Sequence, residues 1–333
     1  MIKIYDCSNS EERPVHRNTG GPKENDIVRY LKMYCSNYDC EFVNDIHTAD
    51  VIFTNDIFDK KSLETGLPRV KRMDGIFLQK DLLSRNELYN RAAEQADRVI
   101  FITKYSYDVY NKLYNVSNLK KWDIIHHWVD CNIFNPKHDY KRKRYDFCAS
   151  ATDWNRAEKR IADLISMANI FPLMKFCLIG KADNIKLPVN IDSLGYIPFP
   201  DVMATILKTC HAFVNLTYRD AATKTVCQAI NCGLPVLYSA TGGVSEMIEY
   251  CNLSYGYGIP EDNQIKIYEE IPHLEHDEIH DSTIHFFEHY QDYKDNIEKN
   301  LHWRRFSDML GGYFQSIRSV VSNGTVAEPV HHF

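Results

Sequence analysis

Short apolar runs alternate with stretches of helical periodicity along nearly the whole chain, the pattern of a parallel α/β protein. In the first 130 residues, Ile2 to Tyr5, Glu41 to Val43, Asp50 to Thr54, Arg69 to Gly75, Asp97 to Thr103 and Trp122 to His126 read as strands. Helices are expected over about Glu24 to Tyr34, over Lys80 to Gln95, and in a tyrosine-rich stretch ending near Tyr114. A second series opens at Tyr145 to Ala149. It continues with a helix over Arg156 to Ile170, a strand over Met174 to Ile179, a short strand over Leu194 to Ile197 and a helix from Pro200 to about Thr209.

The stretch from Cys210 to Glu249 is the most informative. An apolar strand (Ala212 to Leu216) leads through a polar turn into an amphipathic helix (Thr223 to Asn231). A glycine stop, a second apolar strand (Pro235 to Ser239) and a Thr-Gly-Gly opening of another helix follow. A strand ending in polar residues before a helix N-terminus is the usual seat of a ligand in an open α/β sheet. Beyond Glu261 the pattern turns helical and aromatic, with Ile297 to Ser316 as its clearest helix.

The segment Asn135 to Arg144 breaks the alternation with a proline and four consecutive basic residues, Lys141 to Arg144. It divides the chain into residues 1–140, residues 141–300 and a C-terminal helix with a loose tail over 301–333. A solvated linker explains this segment, with a phosphate-attracting patch or weak contact of Lys141 to Arg144 with a membrane surface as the alternative use of its charge.

Composition narrows the class. With 333 residues, 44% hydrophobic and 25% charged, the chain has room for two globular domains. A net charge of -6 argues against a nucleic-acid footprint. No apolar run is long enough for a bilayer span and the N-terminus lacks a signal-peptide pattern, so a cytoplasmic setting is expected. The ten cysteines form no CxxC pair and read as reduced, mostly buried thiols.

Motifs exclude more than they assign. Neither a GxGxxG after a strand nor a Walker loop is present, which counts against dehydrogenase and NTPase readings. Gly20 and Gly21 lie in the first strand-to-helix connection, where backbone amides can cradle a phosphate, although an ordinary turn needs the same residues. His276 and His280 have i,i+4 spacing but lack the glutamate of the zinc-protease motif, and no metal site is assigned to this acidic segment. Asp220 and Gln228, eight apart, present polar groups at two depths beside the small-residue loop Ala221 to Lys224; a helix cap and an exposed Gln fit that spacing equally well.

These residues resemble glycosyltransferase family 4, the retaining GT-B enzymes. Asp220, seven residues, Gln228-Ala229, then Gly233-Leu-Pro-Val236, Gly242-Gly243 and Glu246 follow the family's Glu, seven residues, Glu-Ala, Gly-Leu-Pro-Val, Gly-Gly, Glu. The resemblance extends over nearly the whole chain. It includes Gly20-Gly21, Ala96 to Ile100 with Tyr105-Ser106, Ile124 to Asp130 with Phe134-Asn-Pro136, and the C-terminal helix with Trp303 and Phe306. Both family glutamates are altered, and the crossover's Asn-Gly is His127-Trp128.

The resemblance implies a GT-B fold: two Rossmann-like parallel-sheet domains facing across a cleft, with the C-terminal helix returning to the N-domain. It implies a retaining, metal-independent transfer of a sugar from a nucleotide sugar to a glycan or other hydroxyl acceptor, with no cofactor. In that scheme Asp220 approaches the donor sugar from one methylene further away, and Gln228 holds the ribose. Gly20, Gly21, Thr223 and Lys224 meet the phosphates, and Ile197 lodges the base. Lys159 and Arg156, with Arg160 as the second choice for the arginine, neutralise the diphosphate, and Asp74 faces the sugar from the N-domain. The altered glutamates leave two other readings open: a silent nucleotide-sugar or glycan-binding relative, and a GT-B phosphorylase or epimerase.

Overall fold

A computed structural model describes residues 1–8, 26–137, 143–250, 252–300 and 306–322. It divides into two compact units, Met1–His126 with Ile265–Glu269 and Ser307–Phe333, and His127–Gln264 with Glu270–Phe306.

Unit 1 alternates strands and helices: β1 (Ile2–Asp6), α1 (Asp26–Tyr34), β2 (Cys40–Val43), β3 (Val51–Thr54), α2 (Lys60–Glu64), β4 (Arg69–Met73), α3 (Leu83–Gln95), β5 (Arg98–Phe101), α4 (Lys104–Tyr114) and β6 (Trp122–Ile124). Among the described residues the strands form one parallel sheet in the order β2-β1-β3-β4-β5-β6. All four residues of β3 and of β5 are buried, as expected where helices cover both faces of a parallel sheet. Thr103 starts α4 with a reciprocal capping box to Ser106, which fixes where β5 ends and the helix begins.

The last helix, labelled α11 below (Phe306–Val321), belongs to this unit, as the GT-B reading expects. Arg72 donates through Nε to the Tyr313 hydroxyl (2.8 Å), and Ser316 donates to Asp123 (2.6 Å). The Tyr38 and Phe314 rings stack with centroids 4.7 Å apart.

Unit 2 contains β7 (Tyr145–Asp153), α5 (Ile161–Ile170), β8 (Phe176–Lys181), β9 (Ile191–Gly195), α6 (Pro200–Lys208), β10 (Cys210–Asn215), α7 (Lys224–Asn231), β11 (Val236–Ser239) and α8 (Ser245–Ile248). A small hairpin, β12 (Glu249–Tyr250) and β13 (Leu253–Ser254), precedes β14 (Gly256–Ile259), α9 (His276–Glu288) and α10 (Tyr290–Asn300). Its main sheet runs β14-β11-β10-β7-β8-β9, parallel throughout. Alternate residues of each strand enter opposite cores. Cys148, Cys177, Phe213 and Val236 join Met203, Leu207, Val226 and Ile230 of α6 and α7. Phe147, Leu178, Ala212 and Leu237 meet Leu164, Met167, Ile279 and Phe286 of α5 and α9.

This strand order creates the feature that positions the site. The chain moves outward from β7 through β8 to β9, then returns to the other side of β7 to form β10. The loops that leave the carboxyl ends of β7 and β10 therefore part in opposite directions, and a crevice opens between them.

Three expected elements differ. The helix expected over Arg156 to Ile170 is a 3-10 turn (Ala157–Lys159) followed by α5, separated by Arg160 in the left-handed region (φ 51°). The strand expected at Leu194 to Ile197 lies earlier, as β9, leaving Ile197 in the loop beyond it. The helix expected over Ile297 to Ser316 is instead the end of α10 and most of α11, and residues 301–305 lie outside the described residues.

Candidate functional site

The β10-to-α7 connection forms the centre of the unit 2 crevice. Arg219 takes a left-handed conformation (φ 53°), which turns the chain sharply and brings Asp220 against the β11-to-α8 loop. There the Asp220 carbonyl accepts from Gly243 N–H (2.9 Å). Gly242, at φ 74°, has no room for a Cβ, which would stand 2.3 Å from that same carbonyl oxygen. Glycine at 242 is thus required by close backbone approach to the Arg219–Asp220 turn.

Asp220 receives three groups. Lys159 Nζ lies 2.8 Å from its Oδ2, Ala222 N–H donates to Oδ1 at 3.1 Å, and the Thr223 hydroxyl bonds its carboxylate. Burial alone pushes the carboxyl pKa upward. The Lys159 charge and these hydrogen bonds outweigh it and hold the group down at about 2. Both side chains of the pair are largely buried, so at neutral pH the crevice contains a fixed ammonium beside a fixed carboxylate.

Directly behind Lys159 is a second ion pair. Arg160, fully buried, forms two parallel bonds to Glu261, from Nη1 at 2.8 Å and Nη2 at 2.7 Å. The Ser239 hydroxyl at the end of β11 also donates to Glu261 and lies 3.0 Å from the Thr241 hydroxyl, which in turn accepts from Arg219 N–H (3.0 Å). Tyr218 lies between two guanidinium groups, Arg160 at 4.6 Å and Arg219 at 4.9 Å from its ring centroid. The carboxyl ends of β7, β10, β11 and β14 are tied together by this network.

The structure brings together Lys159, Asp220 and Thr223. Thr223 occupies the N-cap position of α7, with its hydroxyl accepting from the Asn215 amide (3.4 Å), and Lys224 begins the helix. Gln228 lies one turn further and half-buried, and its side-chain amide forms no hydrogen bond among the described residues. Ile197 is half-buried against the α6–α7 side of the core.

Arg156 does not join this group. It pairs with its neighbour Glu158 and is half-exposed. The second choice for the arginine, Arg160, is committed to Glu261. Asp74 in unit 1 follows β4 and pairs with buried Arg72. Gly20, Gly21, Lys141 and Arg142 lie outside the described residues. Of the same basic run, Lys143 donates to the Lys208 carbonyl (2.9 Å) and Arg144 faces Asp192 and the Tyr145 ring.

Sequence reasoning missed Glu261, whose only local mark is an acidic Pro-Glu-Asp-Asn turn after a glycine-rich strand. Among the described residues no group of three His, Cys, Asp or Glu side chains is arranged to hold a metal ion. No helix among them is long and apolar enough to cross a membrane.

Residues 153–300, which contain every member of this network, match the family model of glycosyl transferases group 1. The chain carries, over somewhat less than half its length, a stretch similar to glycosyl transferases group 1. Its fold is GT-B, and solved structures of that fold align over almost its full length. Sucrose-phosphate synthase from Thermosynechococcus elongatus aligns with a TM-score of 0.72 at 12% identity, over 97% of this chain and 100% of that one. A glycosyltransferase from Rickettsia africae aligns at 0.63 and 10% identity, over 97% and 99%. Anabaena HepE, solved with UDP-glucose, aligns at 0.64 and 15% identity, over 96% and 100%. No curated protein matches the chain by sequence.

Proposed function

We propose that this protein is a glycosyltransferase that moves a sugar, with retention of configuration and without a metal, from a nucleoside diphosphate sugar to a hydroxyl of a glycan or similar acceptor. The observation that carries this reading is the Lys159–Asp220 pair, buried in the unit 2 crevice beside the N-terminus of α7. A leaving diphosphate needs positive charge where its own negative charge develops. Lys159 and the first amides of α7 supply that charge in a site where screening by water is weak. The HepE complex with UDP-glucose supports the same donor class for this fold.

Asp220 holds Lys159 in place until a donor arrives, when the diphosphate, carrying more charge, takes over the ammonium. The released carboxylate then faces the sugar hydroxyls as a hydrogen-bond acceptor. Gln228, with no partner among the described residues, is free to donate to and accept from ribose hydroxyls. The donor phosphate itself assists removal of the acceptor proton, so no protein nucleophile is required.

A relative that binds a nucleotide sugar without turnover is the second reading, favoured by the amide of Gln228 where the resemblance has a carboxylate. One experiment tests both. Melting temperature is measured with UDP-, GDP-, dTDP- and ADP-sugars, and the donor that binds is then assayed for transfer and hydrolysis. A bound donor raises the melting temperature through mass action, and Lys159→Ala removes the shift. Binding with no product after long incubation selects the second reading, and no shift with any donor defeats both.

A further inference from the structure

We propose that Glu261 is a positioning residue for the donor phosphates, acting through Arg160 to hold the turn that carries Lys159. This rests on the donor-site reading above. Lys159 belongs to a 3-10 turn of three residues, closed only by Lys159 N–H to the Arg156 carbonyl (3.0 Å) and Arg160 N–H to the Ala157 carbonyl (2.9 Å). So short a turn has little rigidity of its own. Apart from the Lys159–Asp220 pair, which a donor would displace, two external anchors fix it. Tyr218 N–H donates to the Glu158 carbonyl (2.8 Å), and the Arg160 side chain reaches Glu261 through a bidentate pair, 101 residues away in sequence.

The form of the second anchor argues for a role beyond stability. Burying a guanidinium and a carboxylate is expensive, and a well-packed apolar pair at such a place is often as stable. Arg160 is also left-handed, a conformation that favours glycine and that an arginine adopts only under constraint. Both costs fall on the residue that immediately follows Lys159. What the pair supplies that an apolar contact would not is direction: two parallel bonds fix the guanidinium plane, and with it the backbone on which Lys159 stands. Glu261 is held by a third bond from Ser239, and the Arg160 Nε faces Asp163 at 3.6 Å. The end of β14 therefore sets the position of a cation at the end of β7.

The test uses the double substitution Arg160→Gly with Glu261→Gln, which removes both charges together and places glycine where the backbone is left-handed. Lys159→Ala is the reference. Amide hydrogen exchange is read at Lys159 and Arg160 without ligand. Affinity is read for whichever of UDP, GDP, dTDP and ADP binds the wild type most tightly, and turnover for the matching sugar donor. The expected result is exchange faster by about tenfold or more at those two amides, in excess of any change at the amides of β10 and β11 in the same variant. Nucleotide affinity should weaken by about tenfold, with donor KM raised accordingly and kcat within about threefold.

Unchanged exchange overturns the proposal, because Glu261 then does not hold the turn. Faster exchange with nucleotide affinity within about twofold of wild type also overturns it. If Lys159→Ala abolishes binding while the double variant keeps it, the donor site stands and the role of Glu261 falls. If Lys159→Ala binds as well as the wild type, the donor-site reading fails and takes this inference with it.

Discussion

Both units bury arginines, but at different heights on their sheets. Arg72 and Arg98 of unit 1 lie within β4 and β5, under α11. Arg98 is held by both oxygens of Asp123 (2.6 and 2.7 Å), and Arg72 by the Tyr313 hydroxyl and Asp74. Arg160 of unit 2 lies beyond the end of β7, in a turn that opens toward solvent. A cation inside a strand is tied to the layers packed on it, whereas one in the loop beyond the carboxyl end can control what approaches the crevice. Lys71, on the opposite face of β4 from Arg72, sharpens the contrast. Burial, with the neighbouring Arg72 charge, pushes its amine down to about 7 against the opposing pull of Asp56. The role of a buried cation follows from its position along the strand more than from its burial.

Removing Asp123 should have the largest effect. Asp123→Ala leaves Arg98 buried without its carboxylate and breaks the link to Ser316 of α11. Breaking one side of such a pair costs about 3–5 kcal/mol, measurable by urea unfolding. Nucleotide affinity of the fraction still folded should equal that of the wild type. A variant that kept its stability but lost donor binding would break the division between joining and controlling cations.

Asp220 should show a smaller, pH-dependent effect. Its folded pKa of about 2 lies below the ordinary carboxylate value, so the unfolded chain takes up this proton first as pH falls. The stabilisation is fully present above about pH 4 and disappears as the pH falls to about 2, amounting to about 2 kcal/mol at neutrality. Unfolding free energies of wild type and Asp220→Asn should therefore differ at pH 7 and converge toward pH 2. A difference independent of pH would show that the Lys159 pair does not depend on the Asp220 charge.

The strands were legible because a parallel sheet covered on both sides needs continuous apolar runs, and β3, β5, β10 and β11 have them. β9 was misplaced because an edge strand carries the exposed Asp192 and Ser193, which dilute the pattern. β14 was missed because Gly256 and Gly258 replace apolar residues; a Cβ on Gly256 would stand 1.8 Å from the Val236 carbonyl oxygen. At the site, the spacing of Asp220 and Gln228 was visible within one stretch. The pairing of Asp220 with Lys159, 61 residues earlier, was not, nor was that of Arg160 with Glu261. The break at Arg160 is invisible from helical periodicity, because arginine is a good helix former and only its tertiary partner explains the left-handed backbone.

Arg156 should have the smallest effect, and it tests the comparison most closely. The family resemblance implies it as the partner for the diphosphate, three residues before Lys159 on one expected helix. The 3-10 turn removes that helix face, and the guanidinium instead meets Glu158 in a half-exposed pair. Such a pair contributes about 0–1 kcal/mol when one ion, here Arg156, keeps much of its water. Arg156→Ala should therefore change unfolding free energy by less than about 1 kcal/mol and donor KM by less than about twofold. A tenfold rise in KM at unchanged stability would mean that the Glu158 pair opens when donor binds. Arg156 would then act with Lys159, and control of the crevice would extend from the buried cations to an exposed one.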